Sequence, residues 1–244
     1  MPRCQRTFQR LPDARSGGPK TENTHWVCPY CADAESYDLL QDADLLQYAR
    51  LAEAAAIQDF GRPNDASRTT FLLRGLRPEC VFEPGDRRYD IYLQQGSDPL
   101  QLRLQIGHEM FHRVCSQGVV FHWTHEMLAC LFSVRLLRHQ GFEEYAAQTA
   151  DAYRLEAAEC SLQTLLTTDL WRSSCYPPGF YGRAYLMGSA LKSAVGWSAL
   201  CRLARFRVER GAPDVHRWLD SLPEAVKTAA DGVLGGTAPE AAAG

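Results

Sequence analysis

His108-Glu109-Met110-Phe111-His112 forms an H-E-x-x-H pattern directly after a largely apolar stretch. Residues four apart on a helix lie one above the other, so His108 and His112 present two imidazoles to a single metal ion. Two neutral imidazoles and one further protein ligand leave zinc a position for water. The ion then lowers that water's pKa from about 15.7 to about 7. Glu109 stands beside the pair and outside the ligand set. It is the expected general base, taking the water's proton as a carbonyl is attacked and passing it to the leaving amine. The chemistry available to this pattern is amide hydrolysis with Zn2+ as cofactor.

A third ligand must come from elsewhere, and Cys115, His122, His125, Glu126 and His139 follow within reach. Six positions beyond His112, where a third histidine would complete a different zinc pattern, the chain has Gly118. Glu126 is the preferred candidate. Ala129 and Ser133 follow it on the same helix face, and small residues there let two helices approach closely enough to share a metal. His122 and His125 lie near or before the start of that helix and suit an outer-shell or substrate contact as well as a ligand. About one more helical turn after His112, roughly 5 Å, and about eight loop residues can close the connection.

The elements that carry these residues follow from periodicity. A helix over 99–115 bears His108, Glu109 and His112, and a second over 124–139, capped by Thr124 and ended by Gly141, bears Glu126. Phe111, Phe121 and Trp123 read as core beneath them. Upstream, an apolar pattern of threes and fours predicts a helix over 37–59, stopped by Gly61-Arg62-Pro63-Asn64. Short extended segments at 69–73, 80–82 and 89–93, separated by Gly75, Arg77-Pro78 and Pro84-Gly85-Asp86, predict a small antiparallel sheet. Downstream come a long helix over 143–169, a Tyr176-Pro177-Pro178-Gly179 loop, and apolar helices over 181–195 and 197–208. One amphipathic helix containing Val215, Trp218, Leu219, Leu222, Val226 and Ala229 ends the series. The fold class is α+β, mostly α, with the sheet preceding the helical core. Residues 1–35 read as an irregular leader, 36–231 as the domain and 232–244 as a frayed tail.

His108-Glu109-x-x-His112 followed by Glu126-x-x-Ala129 resembles the gluzincin arrangement, in which a glutamate on the next helix completes the zinc site. Phe180-Tyr181-Gly182-Arg183-Ala184, with Gly196 fifteen residues after Tyr181, is similar to the Y-x-K-G helix of the aminopeptidase-N family. That resemblance implies a zincin-like metallopeptidase domain and zinc held by His108, His112 and Glu126. It also implies that Tyr181 donates its hydroxyl to the oxyanion, a role a phenol can fill because it keeps its proton to about pH 10. The step of thirteen residues between His112 and Glu126 is shorter than that family's. Arg183 and Ala184 replace its lysine and glycine, and its G-x-M-E-N segment is missing, so aminopeptidase specificity does not carry over. Arg183 could instead clamp a substrate carboxylate or pair at the surface. Glu126-x-x-Ala129-x-x-Phe132 is also similar to the ImmA/IrrE-type regulatory peptidases.

Composition narrows the partners. Of 244 residues, 45% are apolar and 23% charged with a net charge of −3, an ordinary folded chain without an electrostatic case for nucleic acid. No run of eighteen apolar residues predicts a membrane span, and the N-terminus lacks a secretory core, which points to the cytoplasm. Nine cysteines are expected as reduced thiols there. Cys28-Pro29-Tyr30-Cys31, with His25 and Cys4, is the one group that could form a small structural zinc site or a redox pair. The expected partner is a peptide or protein substrate. The alternative is a non-catalytic regulatory or scaffold protein that keeps the metallopeptidase frame.

Overall fold

The computed structural model describes residues 9–10, 26–27, 42–61, 69–83, 88–115, 122–168, 176–206 and 214–235. The Cys28/Cys31 pair, with His25 and Cys4, and Phe121 lie outside the described residues. Strands β1 (Gln9–Arg10) and β2 (Trp26–Val27) form a two-stranded antiparallel ribbon. Helix α1 (Ala43–Phe60) begins at Asp42, whose carboxylate accepts from the backbone N–H groups of Asp44 and Leu45, both at 3.0 Å. That cap satisfies two of the donors every helix start leaves open. The helix buries Leu45, Tyr48, Ala49, Ala52, Ala56 and Phe60, one stripe at helical spacing whose alanines allow a close neighbour.

The sheet comprises β3 (Thr70–Gly75), β4 (Glu79–Glu83) and β5 (Arg88–Gln94) in the order β3-β5-β4. It is mixed: β4 pairs antiparallel with β5, while β3 runs parallel to β5. The expectation of a wholly antiparallel sheet thus holds for one pair. The reason is in β5, which is buried from Arg88 to Leu93. A strand covered on both faces belongs in the middle, and β5 fills the gap between β3 and β4.

Asp98 caps helix α2 (Pro99–Cys115), accepting from Leu100 and Gln101 N–H at 2.8 and 3.0 Å. Gln94 N–H at the end of β5 donates to the Gln105 side chain at 2.9 Å, which sets the helix against the sheet. Helix α3 (Trp123–His139) is buried on nearly every side, polar Thr124, His125, Glu126 and Ser133 included. Helix α2 packs along it, and α4 (Glu143–Glu156) and α6 (Phe180–Val195) cover it from other directions. Phe60 joins the layers, its ring 4.9 Å from Phe111, 5.6 Å from Phe132 and 6.0 Å from Trp197.

Several predicted elements end differently, among them the helix expected over 197–208, which stops at Arg202 and tightens into a 3-10 turn at Leu203–Arg205. The N-cap of α3 is His122, whose ring accepts from Thr124 N–H, so Thr124 lies inside the helix. The long helix expected over 143–169 tightens into a 3-10 turn at Ala157–Glu159, and Ser161 caps a separate α5 (Leu162–Thr167). The last helix is two: after α7 (Trp197–Arg202) come α8 (Val215–Asp220) and α9 (Glu224–Leu234). Pro223 separates them, since proline has no N–H to continue α8 but suits a helix start. Among the described residues no helix is long and apolar enough to cross a membrane.

Candidate metal centre

The sequence places His108 and His112 one turn apart on α2, and a glycine decides how near α3 comes. A Cβ on Gly107 would lie 3.1 Å from both Cα and Cβ of Ser133. The two backbones therefore approach at the residue preceding the first histidine, and Glu126, two turns before Ser133, faces the histidine pair. The His108 Nε2 atom lies 3.1 Å from Glu126 Oε2 and 3.2 Å from His112 Nε2, and His112 Nε2 lies 3.4 Å from the same carboxylate oxygen.

These distances test whether the residues fit a metal. Ligands about 2.0–2.1 Å from a tetrahedral zinc are separated by about 1.63 bond lengths, or roughly 3.3–3.4 Å. The triangle's edges match that spacing, and its donor set of two imidazole nitrogens and one carboxylate oxygen is one zinc accepts. Among the described residues, His108, His112 and Glu126 form a group able to hold a metal ion. Burial raises the Glu126 carboxyl, but the His112 and His108 imidazoles and their hydrogen bonds outweigh it and hold the group well below the usual carboxylate range. A divalent cation in the same place favours the carboxylate in the same sense.

Tertiary contacts hold both ends of the cluster. Tyr176 donates its hydroxyl to Glu126 Oε1 at 2.9 Å. The Tyr181 ring lies 4.9 Å from that of Tyr176 and 5.8 Å from that of His108. Burial first, and then the negative charge of Glu126, push the Tyr181 hydroxyl far above its ordinary pKa, so it keeps its proton. On the other side Cys130 Sγ lies 3.9 Å from His108 Nδ1, and the Tyr153 hydroxyl bonds the same sulfur. From the sequence, Tyr176-Pro177-Pro178-Gly179 reads as a rigid loop at the site's rim or a linker, and Cys130 as a buried thiol; neither contact was foreseen. Cys130 carried a local signal, being one turn after Glu126 on the same face; the partner of the Tyr176 hydroxyl carried none.

Glu109 is buried, with 5% of its surface exposed, and its carboxylate accepts from the backbone N–H of Cys80 on β4. Burial is the main cause that pushes its carboxyl up to about 8; the charges of Glu126 and Glu79 add to this, while His112 and the Cys80 N–H oppose it. The remaining ligand candidates fall elsewhere. His122 Nδ1 meets Thr124 Oγ1 at 2.6 Å. His125 is wholly buried with its ring 6.3 Å from that of Phe111, turned about 100° around the helix from Glu126. Cys115 is buried at the end of α2. His139 lies thirteen residues along α3 from Glu126, about 20 Å away.

Arg183 faces the end of α4. Its guanidinium donates to the backbone carbonyls of Cys160 at 2.6 Å and Ala157 at 3.0 Å, satisfying acceptors exposed where α4 ends in its 3-10 turn. Gly182 sits against the same turn, where a Cβ would fall 2.6 Å from Ala157 N. The start of α6, which presents Tyr181, is thereby pressed onto the end of α4. Compared with family models, curated proteins and solved structures, the chain matches none.

Proposed function

We propose that this chain is a zinc-dependent peptidase of gluzincin type. The observation that carries the reading is the metal-spaced triangle of His108, His112 and Glu126 with Glu109 buried beside it. Bound among the three ligands, zinc supplies Lewis acidity toward a carbonyl and makes a water acidic enough to attack at neutral pH.

Glu109 is the general base, receiving the water's proton and returning it to the leaving amine. Its carboxyl, raised by burial, is drawn back toward the ionised form by a neighbouring dication, which is the state a base needs. Tyr181 is the donor to the oxygen that gains negative charge. Strand β4 supports a peptide as substrate. Its Cys80 meets Glu109, so an extended peptide laid along this strand runs past the base. The five described cysteines are thiols, which suits a reducing cytoplasm.

The test is Glu109→Gln. Zinc content should equal that of the parent while cleavage of a peptide library falls about 10²–10⁴-fold, the range of one general acid–base group. Equal cleavage by the two proteins removes Glu109 from the mechanism. A non-catalytic regulatory role has one observation in its favour: Glu109 is engaged by the backbone of its own chain at Cys80. Zinc-loaded parent protein that cleaves no member of the library supports that reading.

A further inference from the structure

We propose that Tyr176 is a positioning residue that makes Glu126 a one-oxygen metal ligand. The inference rests on the metal reading above but not on peptide hydrolysis. The two oxygens of Glu126 have different neighbours. Oε2 faces both imidazole nitrogens, at 3.1 and 3.4 Å, whereas Oε1 accepts the Tyr176 hydroxyl at 2.9 Å. A carboxylate can bind a metal through one oxygen or both, and the second mode fills the position a water must take. The Tyr176 hydroxyl holds Oε1 away from that position and satisfies a charged acceptor that is otherwise buried, since Glu126 is only 4% exposed.

The ring is itself held. It packs 5.0 Å from Phe180 and 4.9 Å from Tyr181, which leaves its hydroxyl directed at Glu126. Gly179, three residues on, has φ of +69° and lies so close to the Glu156 carbonyl that a Cβ there would collide with it. The short segment bearing Tyr176 is thus anchored on the end of α4. Polar partners of metal ligands typically contribute 10–100-fold in metal affinity, and the Tyr176 contact belongs with these.

The experiment compares the full-length parent with Tyr176→Phe and Tyr181→Phe, measuring Zn2+ affinity by chelator competition without substrate. Tyr176→Phe should bind zinc about 10–100-fold more weakly, while Tyr181→Phe, which keeps the Tyr176–Glu126 bond, stays within about threefold of the parent. Cobalt-substituted protein reports coordination number directly: the parent should give the intense visible bands of a four-coordinate site, and Tyr176→Phe the weaker bands of a higher one. X-ray absorption on the zinc-loaded parent needs no variant and should find one carboxylate oxygen at about 2.0–2.2 Å. Two carboxylate oxygens at bonding distance in the parent, or a Tyr176→Phe protein with parental affinity and cobalt spectrum, overturns the proposal. Weakened zinc binding in Tyr176→Phe alongside a parent that cleaves no peptide supports the positioning role and overturns the peptidase reading alone.

Discussion

The α2–α3 pair and the start of α6 meet at the same three residues by opposite means. In the first, two regular helices touch at Gly107 and Ser133 and each projects ligands from its own face. In the second, a short segment and one helical turn bring Tyr176 and Tyr181 in from outside, set by Gly179, Gly182 and the carbonyls that Arg183 satisfies. The difference separates holding a metal from tuning it. Two packed helices suffice to gather His108, His112 and Glu126, whereas the hydroxyl on Glu126 depends on where α4 ends.

That division can be broken most directly by removing a ligand. His112→Ala should lose zinc by more than the 10–100-fold typical of an outer partner, read by metal analysis and chelator competition. Equal zinc retention would mean the triangle is not the site. Gly182→Val attacks the other region. Overpacking against α4 should lower stability by about 1–3 kcal/mol in denaturant titrations, while zinc affinity falls no further than in Tyr176→Phe. Complete loss of zinc in that variant would make the two regions one unit.

Next in size is a pH effect at the start of α3. Burial lowers the His122 pKa to about 4 from its ordinary 6.5, so between those values the unfolded chain binds the proton more readily than the folded one. The stabilisation is full above about pH 6.5 and is lost as pH falls toward 4, by an amount on the order of 1–3 kcal/mol. Measured on the His112→Ala background to exclude metal release, His122→Asn should flatten this slope, because asparagine caps without titrating. The smallest effect is expected from Cys130→Ala. It removes the sulfur beside His108 Nδ1 and should weaken zinc by about tenfold, the lower end for an outer partner. A change as large as that of His112→Ala would move Cys130 into the ligand set.

Much of the fold was legible because it rests on near-neighbour chemistry. Asp98 and Cys115 bracket α2 as the periodicity requires, and β3, β4 and β5 arise where Gly and Pro punctuate apolar runs. Strand order was not legible, since alternation within β3 is the same whether its neighbour is parallel or antiparallel. Nor was the break after Glu156: the apolar pattern continues through it, and the turn is completed by Arg183 and Gly182 from a distant helix.

The amino-acid sequence alone determined the histidine pair and its glutamate, because four residues on any helix return to the same face. It also narrowed the third ligand to a handful, with Glu126 preferred for the small residues that follow it. Only the tertiary structure brought Glu126 to His108 and Tyr176 to Glu126, contacts spanning 18 and 50 residues. Packing at Gly107 and Gly182 selects these long-range pairs, and helical spacing carries no information about which distant side chains such close approaches bring together.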